Sequence, residues 1–197
     1  MPNAILPPAL ALWRASQSAR GVVPSGGVAK DPAETKGRQA SAAGVGAPAL
    51  LLACGNSLRQ DDGVGLQIAE AAEQLFPASR LRIIAAPQFT PEMAADVAAT
   101  DLVLFVDASA SDEPGAIRVV PVAASAETTE THRVDPPALM ALAQRLCGHA
   151  PARAFALTIG AHTFGYGEDL SGRVRQAVPR AVRLLGNLIT AFGNSAC

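Results

Sequence analysis

The fold of this chain is decided by residues 50–65, which have the sequence LLLACGNSLRQDDGVG. The four apolar residues at its start are typical of a fully buried strand. Gly55 and Asn56 then favour a turn, because both residue types tolerate unusual backbone angles. The adjacent carboxylates Asp61 and Asp62 follow, directly before an amphipathic pattern that predicts a helix. The stretch therefore predicts a strand, an exposed acidic loop and a helix. In an open α/β sheet such a loop lies at the carboxyl edge, where ligands usually bind.

Length and composition narrow the class of protein. The 197 residues are enough for one domain with some surplus, and the apolar share of 49% allows a sizeable core. With a net charge of -1 and no basic stripe, we expect no nucleic-acid partner. No apolar run approaches the ~20 residues that would span a membrane, so no membrane partner is expected either. The three scattered cysteines form no CxxC pair, which argues against a disulfide framework and favours a reducing, cytoplasmic location.

Residues 1–47 differ from the rest of the chain. They are rich in Pro, Gly, Ser and Ala and contain few large apolar groups after Trp13, so we expect a mostly disordered extension. A secretory signal fits poorly, because no basic residue precedes Arg14. A transit peptide fits slightly better, since no acid precedes Asp31, and a misassigned start codon is a further alternative. Residues 48–197 are predicted to form the single globular domain.

Strands and helices alternate along that domain, which predicts an α/β fold with three layers and a mostly parallel, twisted sheet flanked by helices. Five consecutive apolar residues between Asp101 and Asp107 predict a strand in the middle of the sheet, whereas 116–122 is expected nearer an edge. Thr90 and Asp135 are predicted helix caps, and Gly148 a helix stop. The predicted strands are 49–53, 81–85, 102–106, 116–122 and 154–159, and the helices are 63–76, 91–98, 136–146 and a last one after Ser171.

Four acidic and histidine side chains are candidates for chemistry. Asp61 is interpreted as a cap of the helix that follows, so Asp61→Asn is expected to retain substantial activity. Asp62 and Asp107 both follow predicted strands at the same edge, although Asp107 would equally suit loop amides. His132 joins them only if the polar connector before it reaches that edge. Two carboxylates and an imidazole would leave open positions on a divalent ion such as Ni²⁺ or Zn²⁺ and do not suit a closed structural zinc site.

The two remaining histidines and the common sequence motifs give less information about function. His162, in a glycine-rich loop, is a weaker alternative ligand, and His149 is interpreted as an ordinary exposed residue. The chain contains no GxGxxG fingerprint, no GxxxxGK[ST] phosphate loop, no GxSxG elbow and no HExxH motif. These absences argue against nucleotide binding and the common hydrolase sites.

Four segments together resemble one known family. CGNSLRQDDGVG at 54–65 is similar to the opening signature of the hydrogenase maturation proteases, the endopeptidases that process the large subunit of [NiFe] hydrogenases. The family's first glycine falls near Cys54 and is not matched. LVLFVDA, then His132 followed by Asp135, Pro136 and Leu139, and then FGYGEDLS at 164–171 resemble the later motifs in the same order. The resemblance covers about 50–189.

The resemblance implies a twisted α/β sheet and removal of a C-terminal extension from a nickel-loaded large-subunit precursor. It implies that Asp62, Asp107 and His132 are the catalytic, nickel-contacting residues, with the Ni²⁺ carried by the substrate. The family's Gly-Gly-Thr-like turn is replaced here by PQFT at 87–90, which is a candidate for substrate contact. A non-catalytic nickel-sensing or chaperone module with the same ligands is the main alternative. A small-molecule hydrolase or nucleotide-binding domain is disfavoured by the missing phosphate loops.

Overall fold

A computed structural model describes residues 48–125 and 134–192, which lie in one compact unit, Gly46–Cys197. The strands are β1 (Ala49–Cys54), β2 (Leu81–Ala86), β3 (Leu102–Ser109), β4 (Ile117–Pro121) and β5 (Arg153–Gly160). The α-helices are α1 (Val64–Glu73), α2 (Ala94–Ala98), α3 (Pro136–Cys147) and α4 (Gly172–Phe192). Two 3-10 turns, Gln60–Gly63 and Pro91–Met93, precede α1 and α2. The predicted α/β class is confirmed.

The five strands form one sheet in the order β2-β1-β3-β5-β4. All neighbours are parallel except β4, which pairs antiparallel with β5 and lies at an edge. The strand with five consecutive apolar residues is β3, in the middle of the sheet, and the first five residues of β3 are buried. Both positions agree with the sequence prediction, because a strand covered on both faces needs apolar side chains at every position.

Helices cover both faces of the sheet. On one face, α2 and α3 pack on alternate residues of β1 and β3. On the other, α1 and α4 pack against each other and on the sheet. The apolar residues of α4 at helical spacing are buried there, as the periodicity predicts. The three layers follow from these two apolar interfaces. The core on the face covered by α2 and α3 comprises Leu50, Leu52, Cys54, Phe89, Ala94, Val97, Val103, Phe105, Leu139, Met140, Ala143 and Ala154.

The strand ends define a crevice. The strand order changes direction at β1, because the chain passes from β1 to β2 on one side and later to β3 on the other. Such a switch point leaves a gap at the carboxyl ends, where loops leave in opposite directions. The ladder between β1 and β3 ends at the pair Ala53 and Val106. Strand β3 itself continues to Ser109 beside β5, three residues beyond the predicted strand 102–106.

Two predicted caps differ from the structure. The helix expected at 63–76 is the 3-10 turn Gln60–Gly63 followed by α1, and no side-chain cap bond is made by the residue before either element. Thr90 precedes the turn Pro91–Met93 without a side-chain cap bond. Asp135 does cap α3, accepting the Ala138 N–H at 2.8 Å. Gly148 ends that helix in the left-handed region at φ 72°, as predicted.

Some sequence predictions lie outside the described residues. These are the N-terminal extension at 1–47, the polar connector at 126–131 and His132. Within the part of the chain that the structure describes, no helix is long and apolar enough to cross a membrane.

Candidate functional site

A cleft of about 420 Å³ opens at the carboxyl edge of the sheet, where the strand order changes direction. The end of β1, the end of β3, the loop after β2 and the start of α3 all contribute to its wall. The described residues that line it are Cys54, Gly55, Asp62, Pro87, Gln88, Phe89, Asp107, Ala108, Ala110, Val134, Asp135, Pro136 and Phe164.

Asp62 and Asp107 both line this cleft, and both are half-buried. Asp62 lies in the 3-10 turn after β1, with its N–H donating to the Arg59 carbonyl at 3.2 Å. Asp107 lies one residue beyond the last pair of β1 and β3, and its Oδ1 accepts the Ala108 N–H at 2.8 Å. The structure thus brings together the two acids that the sequence placed at one edge, while contact with a metal stays a prediction.

Two glycines allow the acidic turn to lie close to the strand ends. Gly55 has φ 148°, and a Cβ there would lie 2.0 Å from the Asp62 carbonyl oxygen. A Cβ on Gly65, in the first turn of α1, would lie 2.2 Å from the Cys54 carbonyl oxygen. Any side chain at either position would push the turn away from β1. The glycines of the sequence motif are therefore needed to place Asp62 in the cleft.

Asp61 does not cap α1, contrary to the expectation from sequence. Its side chain is fully buried and accepts hydrogen bonds from the loop that precedes α4. Oδ1 accepts the Ser171 N–H at 2.7 Å. Oδ2 accepts the N–H groups of His162 and Thr163 at 3.1 and 3.0 Å. Oδ2 also accepts the hydroxyls of Thr163 and Ser171 at 2.8 and 3.0 Å. Asp61 therefore fastens the acidic turn to a loop about a hundred residues further along the chain.

The charge of Asp61 is stabilised by these donors. Burial raises the pKa of the carboxyl, whereas the hydrogen bonds from Ser171, Thr163 and His162 lower it, and the net pKa lies below the usual value. A buried carboxylate without such partners would be costly. Asp61 is consequently a structural anion, while Asp62 beside it faces the cleft.

The two loops are also joined through their backbones. Gln60 N donates to the Gly167 carbonyl at 2.7 Å, and Gly167 N donates to the Leu58 carbonyl at 2.9 Å. Gln60 has φ 50°, in the left-handed region, and its Oε1 accepts the Gly165 N–H at 3.2 Å. The joined loops place Phe164 on the wall of the cleft.

The PQFT segment also contributes to the cleft. Pro87 and Gln88 are exposed on its wall, whereas Phe89 is buried and packs edge-on against Phe105 with ring centroids 5.5 Å apart. The segment is therefore in a position to contact whatever occupies the cleft, and Phe89 fixes it to the core.

The charge of the cleft is negative. Asp62, Asp107 and Asp135 are three carboxylates on its wall, and the described lining residues include no lysine, arginine or histidine. Such a wall favours a cation or a cation-bearing ligand. Among the described residues, no group of three His, Cys, Asp or Glu side chains is arranged to hold a metal ion. The predicted third ligand, His132, lies outside them, two residues before Val134.

The other histidines are not at the cleft. His149 is exposed after the C-terminal end of α3. His162 is exposed and contributes its main-chain N–H to Asp61, and it is not part of the cleft wall. The structure therefore gives no support to His162 as an alternative ligand.

The fold and the cleft define an α/β domain with an acidic cleft at its topological switch point. No protein-family model matches the sequence, and no curated protein matches it. Solved structures do match. The hydrogenase maturating endopeptidase HybD from E. coli is 23% identical with a TM-score of 0.56, over 73% of this chain and 93% of that chain. The [NiFe] hydrogenase maturation protease HycI from Thermococcus kodakarensis KOD1 is 22% identical with a TM-score of 0.58, over the same shares.

A third match has the same architecture. The hydrogenase 2 maturation peptidase from Thaumarchaeota archaeon SCGC_AB-539-E09 is 19% identical with a TM-score of 0.55, over 73% of this chain and 98% of that chain. This protein therefore has the fold of the hydrogenase maturation proteases. The family resemblance of its motifs is confirmed at the level of fold.

Two features of the site were missed by sequence reasoning. The anchoring role of Asp61 was missed because its partners are 101 to 110 residues away. Asp135 was predicted only as a cap, yet it also lines the cleft. The proximity of Asp135 to the candidate ligand His132 in the sequence was an available signal.

Proposed function

We propose that this protein is an endopeptidase that removes a C-terminal extension from the nickel-loaded large-subunit precursor of a [NiFe] hydrogenase. The observation that carries this proposal is the position of Asp62 and Asp107 on one cleft wall at the switch point of a maturation-protease fold. The acidic wall suits a substrate that presents a divalent cation, because carboxylates are favourable ligands for it.

The proposed role of Asp62 and Asp107 is to contact the nickel ion that the substrate carries. Both would do so as carboxylates, because metal ligands bind in the deprotonated form. Asp62 belongs to the turn Gln60–Gly63, and Asp107 belongs to the ladder between β3 and β5. Both carboxylates are therefore attached to regular secondary structure. Such preorganisation favours recognition of a loaded precursor over an empty one.

His132 is proposed as the third contact. Val134, two residues later, lines the cleft. Consecutive Cα atoms are about 3.8 Å apart, so the covalent chain keeps the His132 Cα within about 7.6 Å of that of Val134. His132 is therefore close enough in the chain to add a nitrogen ligand to the two carboxylates on the substrate's nickel. It would bind as a neutral imidazole, because metal ligands bind in the deprotonated form.

The test is cleavage of purified precursor, with and without nickel, by wild type and by Asp62→Ala, Asp107→Ala and His132→Ala. We expect wild type to shorten only the loaded precursor and each variant to lose processing while circular dichroism stays native-like. Asp101→Ala and His149→Ala are matched controls, because Asp101 precedes β3 at the opposite edge and His149 is exposed after α3. Both controls should process normally.

Two outcomes would contradict the proposal. Equal cleavage of loaded and empty precursor, or an active His132→Ala enzyme, would exclude recognition of nickel by this set of residues. Nickel-dependent binding without any shortening of the precursor would instead favour the non-catalytic sensing or chaperone module.

A further inference from the structure

Two large apolar side chains are exposed where the acidic turn meets the loop before α4. Tyr166, the single tyrosine of the chain, is 89% exposed, and Leu58 is 44% exposed. We call these two residues the apolar rim. Exposed apolar side chains are common singly, but an aromatic residue presented almost completely to solvent is a feature of interaction surfaces.

The backbone beneath the apolar rim is firmly held. Gly167 N donates to the Leu58 carbonyl at 2.9 Å, which joins the two rim segments directly. A Cβ on Gly165 would lie 3.2 Å from Gln60 Oε1, and one on Gly167 would lie 3.3 Å from Gln60 Cγ. The glycines on both sides of Tyr166 therefore pack against the acidic turn. Because the backbone is ordered in advance, binding at the apolar rim would cost little backbone conformational entropy.

The apolar rim is continuous in sequence with the cleft wall. Phe164, two residues before Tyr166, lines the cleft, and so does Asp62, four residues after Leu58. The hydrogen bonds from Thr163 and Ser171 to Asp61 fix both segments to one anchor. A ligand that enters the cleft from this side therefore passes the apolar rim.

We propose that Leu58 and Tyr166 dock the polypeptide substrate of the cleft. This inference rests on the proposed function and adds to it a surface outside the acidic wall that contacts the precursor. The partner chemistry that fits is a polypeptide with a cation-bearing segment for the acidic wall and apolar side chains beside it. Buried aromatic anchors contribute most of the affinity in such interfaces.

The experiment measures steady-state processing of the nickel-loaded precursor by wild type, Leu58→Ala, Tyr166→Ala and the double variant. We expect KM to rise by about tenfold or more for Tyr166→Ala, with kcat and the melting temperature unchanged. The matched control is Leu146→Ala, because Leu146 is 66% exposed near the C-terminal end of α3, away from the start of α3 that lines the cleft. Its KM should equal that of wild type.

The outcomes separate this inference from the proposed function. If wild type does not shorten the loaded precursor, the proposed function fails and so does the docking role derived from it. If wild type processes the precursor and Tyr166→Ala has an unchanged KM, the docking role alone is overturned. A wild-type dimer that dissociates in Tyr166→Ala, with KM unchanged, would also overturn it and assign the apolar rim to contact between two copies of the chain.

Discussion

The Asp61 carboxylate accepts the Ser171 N–H at 2.7 Å, although the two residues are 110 positions apart in the sequence. This bond and four further bonds to Asp61 join the loop that carries the cleft acid to the loop that begins α4. The arrangement of the cleft wall therefore depends on a residue that does not itself face the cleft.

Replacing Asp61 by Asn should destabilise the fold. An amide has one acceptor oxygen, so its NH2 group must face the N–H of Ser171 or the N–H groups of His162 and Thr163. We expect the free energy of unfolding to fall by about 3 kcal/mol, since bonds to a charged acceptor are lost and a buried donor is left unpaired. Chemical denaturation measures this change.

The control for that experiment is Asp62→Asn, the same chemical change one residue later. Asp62 faces the cleft and is half-buried, so the unfolding free energy of Asp62→Asn should stay close to that of wild type. Equal stability of the two variants would contradict the anchoring role of Asp61.

Asp61 should also give the protein part of its acid sensitivity. Its pKa is lower in the folded state than the ordinary value of 3.8, so the unfolded chain binds the additional proton. The stabilisation is then fully present above the unfolded pKa and is lost as pH falls through the folded pKa. Unfolding free energies of wild type and Asp61→Asn measured from neutral pH to below pH ~4 should converge at the acid end. Parallel curves across that range would contradict this prediction.

Gly65 should not tolerate a side chain. Gly65→Ala would place a Cβ 2.2 Å from the Cys54 carbonyl oxygen, and the obstacle is backbone that cannot rotate away. We expect a loss of about 3 kcal/mol or more in unfolding free energy, measured by urea denaturation. Gly172→Ala is the matched control, because no atom lies within 4 Å of its added Cβ. The control should be unchanged or slightly more stable.

Removal of residues 1–47 should leave the domain stable, because they are rich in Pro, Gly, Ser and Ala and offer few large apolar groups to a core after Trp13. The truncation keeps Pro48, whose carbonyl accepts the Thr100 hydroxyl at 2.8 Å. We expect an unchanged melting temperature and unchanged processing of the precursor. Thr100→Val provides a sensitivity control, since loss of this part-buried bond should cost about 1 kcal/mol. A large loss of stability on truncation would show that the extension packs on the domain.

The sequence alone determined most of the strands and helices and the edge of the sheet at which the cleft acids lie. Apolar runs specify β1 and β3 because a strand buried on both faces needs apolar side chains at every position. Parallel strands have their carboxyl ends at one edge, so Asp62 and Asp107 could be placed at the same edge without knowledge of the strand order. The Asp135 cap and the Gly148 stop were also predictable, since both depend on local backbone geometry.

Only the tertiary structure decided what Asp61 does. An Asp before a helix satisfies the local rule for a cap equally well, and its actual partners come from a loop that is distant in sequence. The same holds for the antiparallel pairing of β4 and for the presence of Asp135 on the cleft wall. The physical reason is the same in each case: hydrogen bonds between distant segments form only after the sheet has brought those segments together, and no local periodicity records them.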